Sequence, residues 1–142
     1  MSLYAKSDVL RLSWCGQSLG FGIPNNSSNI SGLELGFGSK LDIVNGLQLN
    51  IAYSNADRIN GLQISLLNKN NYSNGLQIGL RNISYERMNG LQIGLINTAK
   101  ELHGLQIGII NKTTTLKGLQ LGVFNSADNG VFAAMIIANG RF

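Results

Sequence analysis

The stretch Gly90-Leu91-Gln92-Ile93-Gly94-Leu95-Ile96-Asn97 is the unit from which most of this 142-residue chain is built. Near-copies of it begin with glycine at positions 32, 46, 61, 75, 90, 104 and 118, so successive copies are 14 or 15 residues apart. A fixed period of this kind is the signature of repeat proteins, in which each copy packs against its neighbours. The period therefore predicts a stack of similar units.

Within each copy, apolar and other residues alternate. Counting the leading glycine as position 1, positions 2, 4 and 6 are apolar, position 3 is Gln (Glu34 in the first copy) and position 5 is small or polar. Alternation with a period of two predicts a β-strand, and repeated glycines between β-branched residues disfavour a helix. The polar remainder of each copy, such as Thr98 to His103, is predicted to form turns or loops. It carries one recurring apolar residue: Ile59, Met88, Leu102 and Leu116.

We predict an all-β fold with one strand per repeat, stacked in parallel as a β-solenoid. Near-identity of successive copies favours this arrangement, because each residue then lies on its own counterpart. In this interpretation the Leu and Ile columns face inward and an amide ladder lies outside, formed by Gln48, Gln63, Gln77, Gln92, Gln106 and Gln120. A second ladder at a corner is formed by Asn68, Asn82, Asn97, Asn111 and Asn125.

An antiparallel up-and-down β-barrel is the alternative. The unit Asn89 to Asn97 is nearly palindromic, and pairs such as Asn89-Gly90 are also hairpin signals. Equal loops at both ends give little stagger, however, and a barrel needs stagger to close. A membrane barrel is less favoured still, since the apolar face spans roughly 10 Å and a lipid-facing band needs ~25 Å.

The pattern indicates one repeat domain over residues 1–142. Residues 1–31 form an N-terminal cap with a degenerate repeat at Gly16 to Gly22, residues 32–125 are the regular repeats, and residues 126–142 form a C-terminal capping strand. Val131 to Ala138 is apolar on both faces. This predicts that the segment is buried on both sides, either as a terminal cap or in a homo-oligomer contact.

Charge is sparse. Only 13% of residues are charged, 18 are glycine, and the net charge of +4 comes from scattered basic residues, most of which share a loop with an acid, as in Glu86-Arg87 and Lys100-Glu101. This predicts solvated edges and no nucleic-acid interface. Lys6, Asp8 and Arg11 interrupt the N-terminus where a signal peptide would need an apolar run, so no signal peptide is recognised.

No group of residues suggests chemistry. His103 is the only histidine and fills a slot that is Asn or Lys in sister repeats, while Cys15 is the only cysteine and has no base nearby in the repeat order. Metal sites and nucleophilic sites need several such groups together. Glu34 is the one departure within the Gln column. We therefore predict a non-enzymatic protein without catalytic residues, metal or cofactor.

The repeats themselves resemble a known group of proteins. Gly-Leu-Gln-Ile-Gly-Leu-Ile-Asn units at this spacing are similar to those of short bacterial surface-repeat proteins, found in spirochaetes, Bacteroidetes and other bacteria, whose tandem units read Gly-Val/Leu-Gln-Ile/Leu-Gly-Leu-Val-Asn. The resemblance covers residues 32–125, and the ending from Ile136 to Phe142 also looks like theirs. It implies an exported or surface location and no particular activity.

The functional prediction is a structural or surface-interaction repeat protein. Framework positions are constant and loop positions vary, so recognition of a protein or surface partner is expected on the variable loop edge. The alternatives are a β-barrel carrier of an apolar ligand and a membrane-inserted β-barrel or pore, with membrane association less favoured.

Overall fold

The computed structural model describes residues 8–14, 17–21, 29–129 and 134–142. These residues form one eight-stranded sheet in the order β2-β1-β3-β4-β5-β6-β7-β8. The strands are β1 (Asp8–Trp14), β2 (Gln17–Phe21), β3 (Asn29–Ile64), β4 (Leu67–Ile78), β5 (Arg81–Ile93), β6 (Ile96–Ile107), β7 (Ile110–Ala127) and β8 (Ala134–Arg141). Pro24 and Cys15 lie outside the described residues.

Successive repeats pair in parallel, each on its own counterpart. Gly75 pairs with Gly90, Gly90 with Gly104 and Gly104 with Gly118, and the flanking Leu, Gln and Ile residues follow the same register. The chain is therefore an all-β solenoid, as the repeat period predicts. The antiparallel alternative is wrong for these repeats.

The strands are longer than the repeat pattern predicts. The return segments expected to be turns or loops, including Thr98–His103, belong to strands. Each of β4, β5 and β6 instead begins at position 7, runs through the return segment and the next leading glycine, and ends at position 4 of the following copy. Parallel stacking explains this, because polar return segments also find backbone partners one coil away.

A leading glycine lets the strand change direction between the return segment and the following repeat unit without interrupting the strand. Gly75 has φ 134°, a backbone conformation that essentially only glycine adopts. A Cβ atom at Gly75 would also collide with the carbonyl oxygen of Gly61 in the coil below. The glycine column is thus required both by backbone conformation and by close stacking.

At both ends of the sheet, the edge strand pairs with its neighbour in antiparallel orientation. Leu10 and Leu12 of β1 pair in parallel with Leu33 and Leu35, so β1 supplies the partner of the first regular repeat. The predicted degenerate repeat falls instead on β2, which runs antiparallel to β1 and forms the edge. β8 runs antiparallel to β7 and forms the opposite edge.

The interior is the reverse of the sequence prediction. The six Gln side chains expected outside are fully buried: Gln48, Gln63, Gln77, Gln92, Gln106 and Gln120. The Leu and Ile side chains at positions 2, 4 and 6, expected inside, face outward and are half-buried or exposed. The position-5 glycines explain the reversal, since a Cβ on Gly94 would strike the Asn82 amide inside the coil. Position 5 therefore points inward, and position 3 with it.

The apolar core comes from the return segments. Ile59, Met88, Leu102 and Leu116, the recurring residues of those segments, are at most 1% exposed. Together with neighbouring buried side chains they form two clusters, one around Ile59 and one around Leu102. Between the clusters the same columns carry the buried polar residues Asn70, Ser73 and Ser84. The core is therefore a narrow column that alternates apolar and polar layers.

Candidate functional site

The amide ladders inside the coil serve the framework. From Gln63 onward, each Gln donates from Nε2 to Oε1 of the Gln one coil earlier, with Gln92 to Gln77 at 2.7 Å and Gln106 to Gln92 at 2.7 Å. Asn97 donates to Asn111 Oδ1 and to the Ile107 carbonyl oxygen, both at 2.8 Å, and so links two neighbouring coils beside position 5. Because these buried amides are hydrogen-bonded to each other, their donors and acceptors are used to hold the framework together.

The outer side of the sheet carries a continuous apolar face, which we define as positions 2, 4 and 6 of the repeats. Its position-6 side chains are between 47% and 52% exposed in five successive coils: Leu66, Leu80, Leu95, Ile109 and Val123. Ile96, Ile110 and Phe124 at position 7 are exposed beside it. Folded proteins seldom expose a contiguous apolar surface of this kind unless it has a partner.

A trough runs along this face parallel to the solenoid axis. Its walls are the position-4 column, such as Ile78 and Ile93, and the position-6 column, such as Leu80 and Leu95; its floor is the position-5 column. The trough has a volume of about 1180 Å³, and Ile136 and Ile137 of β8 lie at its end. None of the described residues that line it is charged.

The end of the trough shows an unusual backbone. Ile137 has φ 77°, a conformation that β-branched residues rarely adopt. Ile136 and Ile137 are 68% and 75% exposed, so the described part of this chain does not bury them, and the homo-oligomer contact through this segment stays a prediction. Strained residues of this kind concentrate at functional positions.

The variable positions form a second surface, which we call the variable edge. It consists of exposed or half-buried return-segment residues, among them Asp57, Arg58, Lys69, Asn71, Tyr72, Tyr85, Glu86, Arg87, Lys100, Glu101, Lys112 and Thr114. Neighbouring coils are joined across it by Arg87–Glu101 at 2.7 Å and Lys100–Glu86 at 2.9 Å. The Arg58 guanidinium lies 5.4 Å from the centre of the Tyr72 ring, within cation–π range.

The two ion pairs shift the pKa values of their members. The hydrogen bond from Arg87, helped by its charge, lowers the pKa of the Glu101 carboxyl below its ordinary value. The hydrogen bond to Glu86, and the charge of that carboxylate, raise the pKa of the Lys100 ammonium. Both effects favour the charged forms on an exposed surface.

The residues considered for chemistry do not converge. His103 pairs in register with Asn89 and Lys117, in the column where Asn89 donates to Asn74 at 2.7 Å, so it occupies a position that differs between repeats. Glu34 is fully buried in the Gln column, where Asn50 Nδ2 donates to it at 3.2 Å. Sequence reasoning missed the apolar face, although glycine at position 5 was a signal for it.

Two kinds of feature are absent from the described residues. Ranges 8–14, 17–21, 29–129 and 134–142 contain no group of three or more His, Cys, Asp or Glu able to hold a metal ion. The same part of the chain has no helix, and hence no helix long and apolar enough to cross a membrane. The expectations of no metal, no cofactor and no catalysis stay predictions.

Comparison with protein families, with curated proteins and with solved structures finds no match to this chain. The resemblance to bacterial surface-repeat proteins therefore stays a prediction.

Proposed function

We propose that this protein is a non-enzymatic, structural interaction protein that recognises a protein or surface partner through its variable edge. One observation carries the proposal: the repeat-invariant glycine and glutamine residues are used by the framework, and the varied residues are gathered on one accessible edge. Gly90 stacks on Gly75 and Gln92 is fully buried, whereas Tyr72, Tyr85 and Arg87 are exposed.

The chemistry of the variable edge supports recognition of a protein. Tyr72 and Tyr85 are 41% and 52% exposed, and Arg58 and Arg87 lie on the same surface. Tyr and Arg are the residues most enriched in the energetically dominant parts of protein interfaces. Rigid strands present them, so little ordering is required when a partner binds.

The carrier and pore alternatives find no support in this arrangement. Both were predicted for antiparallel barrels, and the described repeats are parallel. We also propose an exported or surface location. This part of the proposal rests only on the resemblance of the repeats to those of bacterial surface-repeat proteins.

Site-specific photo-crosslinking tests this function. A photoreactive phenylalanine analogue replaces Tyr72 or Tyr85 on the variable edge, and Leu66 on the apolar face serves as the matched exposed control. After irradiation with cells of the source organism, we expect one discrete partner protein, identified by mass spectrometry, from the two edge positions and not from Leu66. Cross-links of equal pattern from all three positions, or none from Tyr72 and Tyr85, would contradict the proposal.

A further inference from the structure

The apolar face contains both a ridge and a trough of the same length. The ridge is the position-6 column from Leu66 to Val123, and the trough beside it has the position-5 glycines as its floor. Both follow the solenoid axis over at least four coil spacings, or ~19 Å at ~4.8 Å per coil. A surface that carries a ridge and a matching trough of equal spacing is complementary to itself.

From this self-complementarity we infer that the apolar face binds a second copy of this chain and forms a two-fold symmetric, face-to-face dimer. A two-fold axis that lies in the interface plane, parallel to the solenoid axis and midway between ridge and trough, places the ridge of each copy in the trough of the other, which is the reciprocal contact of an isologous interface. The glycine floor gives the incoming Leu and Ile side chains room. Interdigitation of identical apolar columns is the packing found in dry interfaces between sheets.

Charge favours this occupant. The protein has a net charge of +4, so two copies repel each other wherever their basic residues meet. The described residues lining the trough are uncharged, and the charged return-segment residues lie on the variable edge. Arg81, at position 7 beside the ridge, is exposed and lies outside the trough lining. Face-to-face docking therefore places no charge in the trough and leaves both variable edges open to partners.

The size of the face fits a dimer. From β1 through the seven repeat copies to β8 it spans nine stacked rows of backbone, or roughly 38 Å, and positions 2 to 6 are about 13 Å wide. The flat area is thus about 500 Å² per copy and about 1000 Å² for the pair, which reaches the lower bound for a specific interface. A lipid surface is the weaker occupant, because membrane-binding faces carry Trp, Tyr, Lys or Arg, and the described trough lining carries none of these.

Sedimentation equilibrium of the whole protein tests the inference. We expect a monomer–dimer equilibrium between about 1 and about 100 µM, the range of an interface of this size. The double substitution Leu80→Lys and Leu95→Lys should weaken dimerisation at least tenfold, since it places four charges in the pair interface. Both side chains are about half exposed, so lysine can reach solvent in the monomer and the fold is retained.

Two controls make the outcome decisive. Tyr85→Lys adds the same type of charge at a similarly exposed position on the variable edge and should leave dimerisation unchanged. Circular dichroism checks that each variant is folded. A wild type that stays monomeric at every concentration, or dimerisation that survives the double substitution, would overturn the inference; so would a monomer that binds phosphatidylcholine vesicles through Leu80 and Leu95. Partner cross-linking from Tyr72 is independent of all these results, so the proposed function and the dimer can fail separately.

Discussion

At the scale of single residues, glutamine is the side chain on which the interior depends. A primary amide both donates and accepts, so one Gln per coil can bond to the copy before it and to the copy after it. Gln92 does this with Gln77 and Gln106, each at 2.7 Å, and also donates to Ser84 Oγ at 3.2 Å. Stacking thus converts a polar side chain into a fully satisfied core residue.

Replacing Gln92 with alanine should therefore be costly. The change leaves the Gln106 amide nitrogen without its acceptor and removes a donor from the Gln77 oxygen, and each buried loss costs about 1–3 kcal/mol. We expect the free energy of unfolding to fall by about 2–4 kcal/mol in urea titrations. Thr114→Ala, at an exposed position, is the control and should change it by less than about 0.5 kcal/mol. An equally small loss for Gln92→Ala would show that the ladder is not needed.

At the scale of elements, the strands β5 and β6 are joined differently on their two sides. Inside, uncharged amides stack in register, whereas on the variable edge Glu86 and Arg87 of β5 meet Lys100 and Glu101 of β6. The register of this edge slips where one extra residue is accommodated between Ser84 and Arg87. The 15-residue repeat that begins at Gly75 is therefore tolerated because a bulge absorbs its extra residue away from the ladders.

The Arg87–Glu101 pair predicts a specific pH dependence. Because the folded protein has a lowered Glu101 pKa, the pair stabilises it above the ordinary carboxyl value of 4.5, and this contribution is lost as the pH falls through the lower folded value. The stability difference between wild type and Glu101→Gln should thus be present at neutral pH and disappear in acid, in thermal denaturation at low salt. Arg87→Gln should give the same profile. A difference that persists at pH values well below 4.5 would exclude this ion pair as its cause.

At the scale of the whole molecule, the solenoid is a one-dimensional stack. Contacts run between consecutive strands, and each coil meets the same surface on the coil before and the coil after. The stability of such a protein is approximately a sum over repeats and their interfaces. Length is therefore adjustable in units of one coil and in no smaller unit.

Deletion of one coil tests this directly. Removing residues 90–103 joins Asn89 to Gly104, with every ladder position still in register. We expect the shortened protein to fold, to be less stable, and to be about 5 Å shorter by small-angle X-ray scattering. Removing only residues 90–96 shifts the remaining columns against their partners and should prevent folding. Equal folding of both deletions would contradict a register-dependent stack.

The parallel stack is implicit in the sequence. The step of 14 or 15 residues, the near-identity of copies such as those starting at Gly75 and Gly90, and the period-two alternation predict strands that lie on their own counterparts. The side of each strand shared by Leu76 and Ile78 was also predictable, because alternation fixes which residues share a face.

Which of the two faces is buried was decided only by the tertiary structure. Judged within one strand, Gln77 is polar and Leu76 is apolar, so the sequence favours Leu inside. Stacking changes this balance, because Gln77 then finds an amide donor and an amide acceptor in the neighbouring coils, and burying a satisfied amide costs little. The position-5 glycines leave no room on that side of the strand for side chains other than those of the Asn column. The apolar face, and with it the surface for a second copy, thus exists because hydrogen bonds between coils fill the interior.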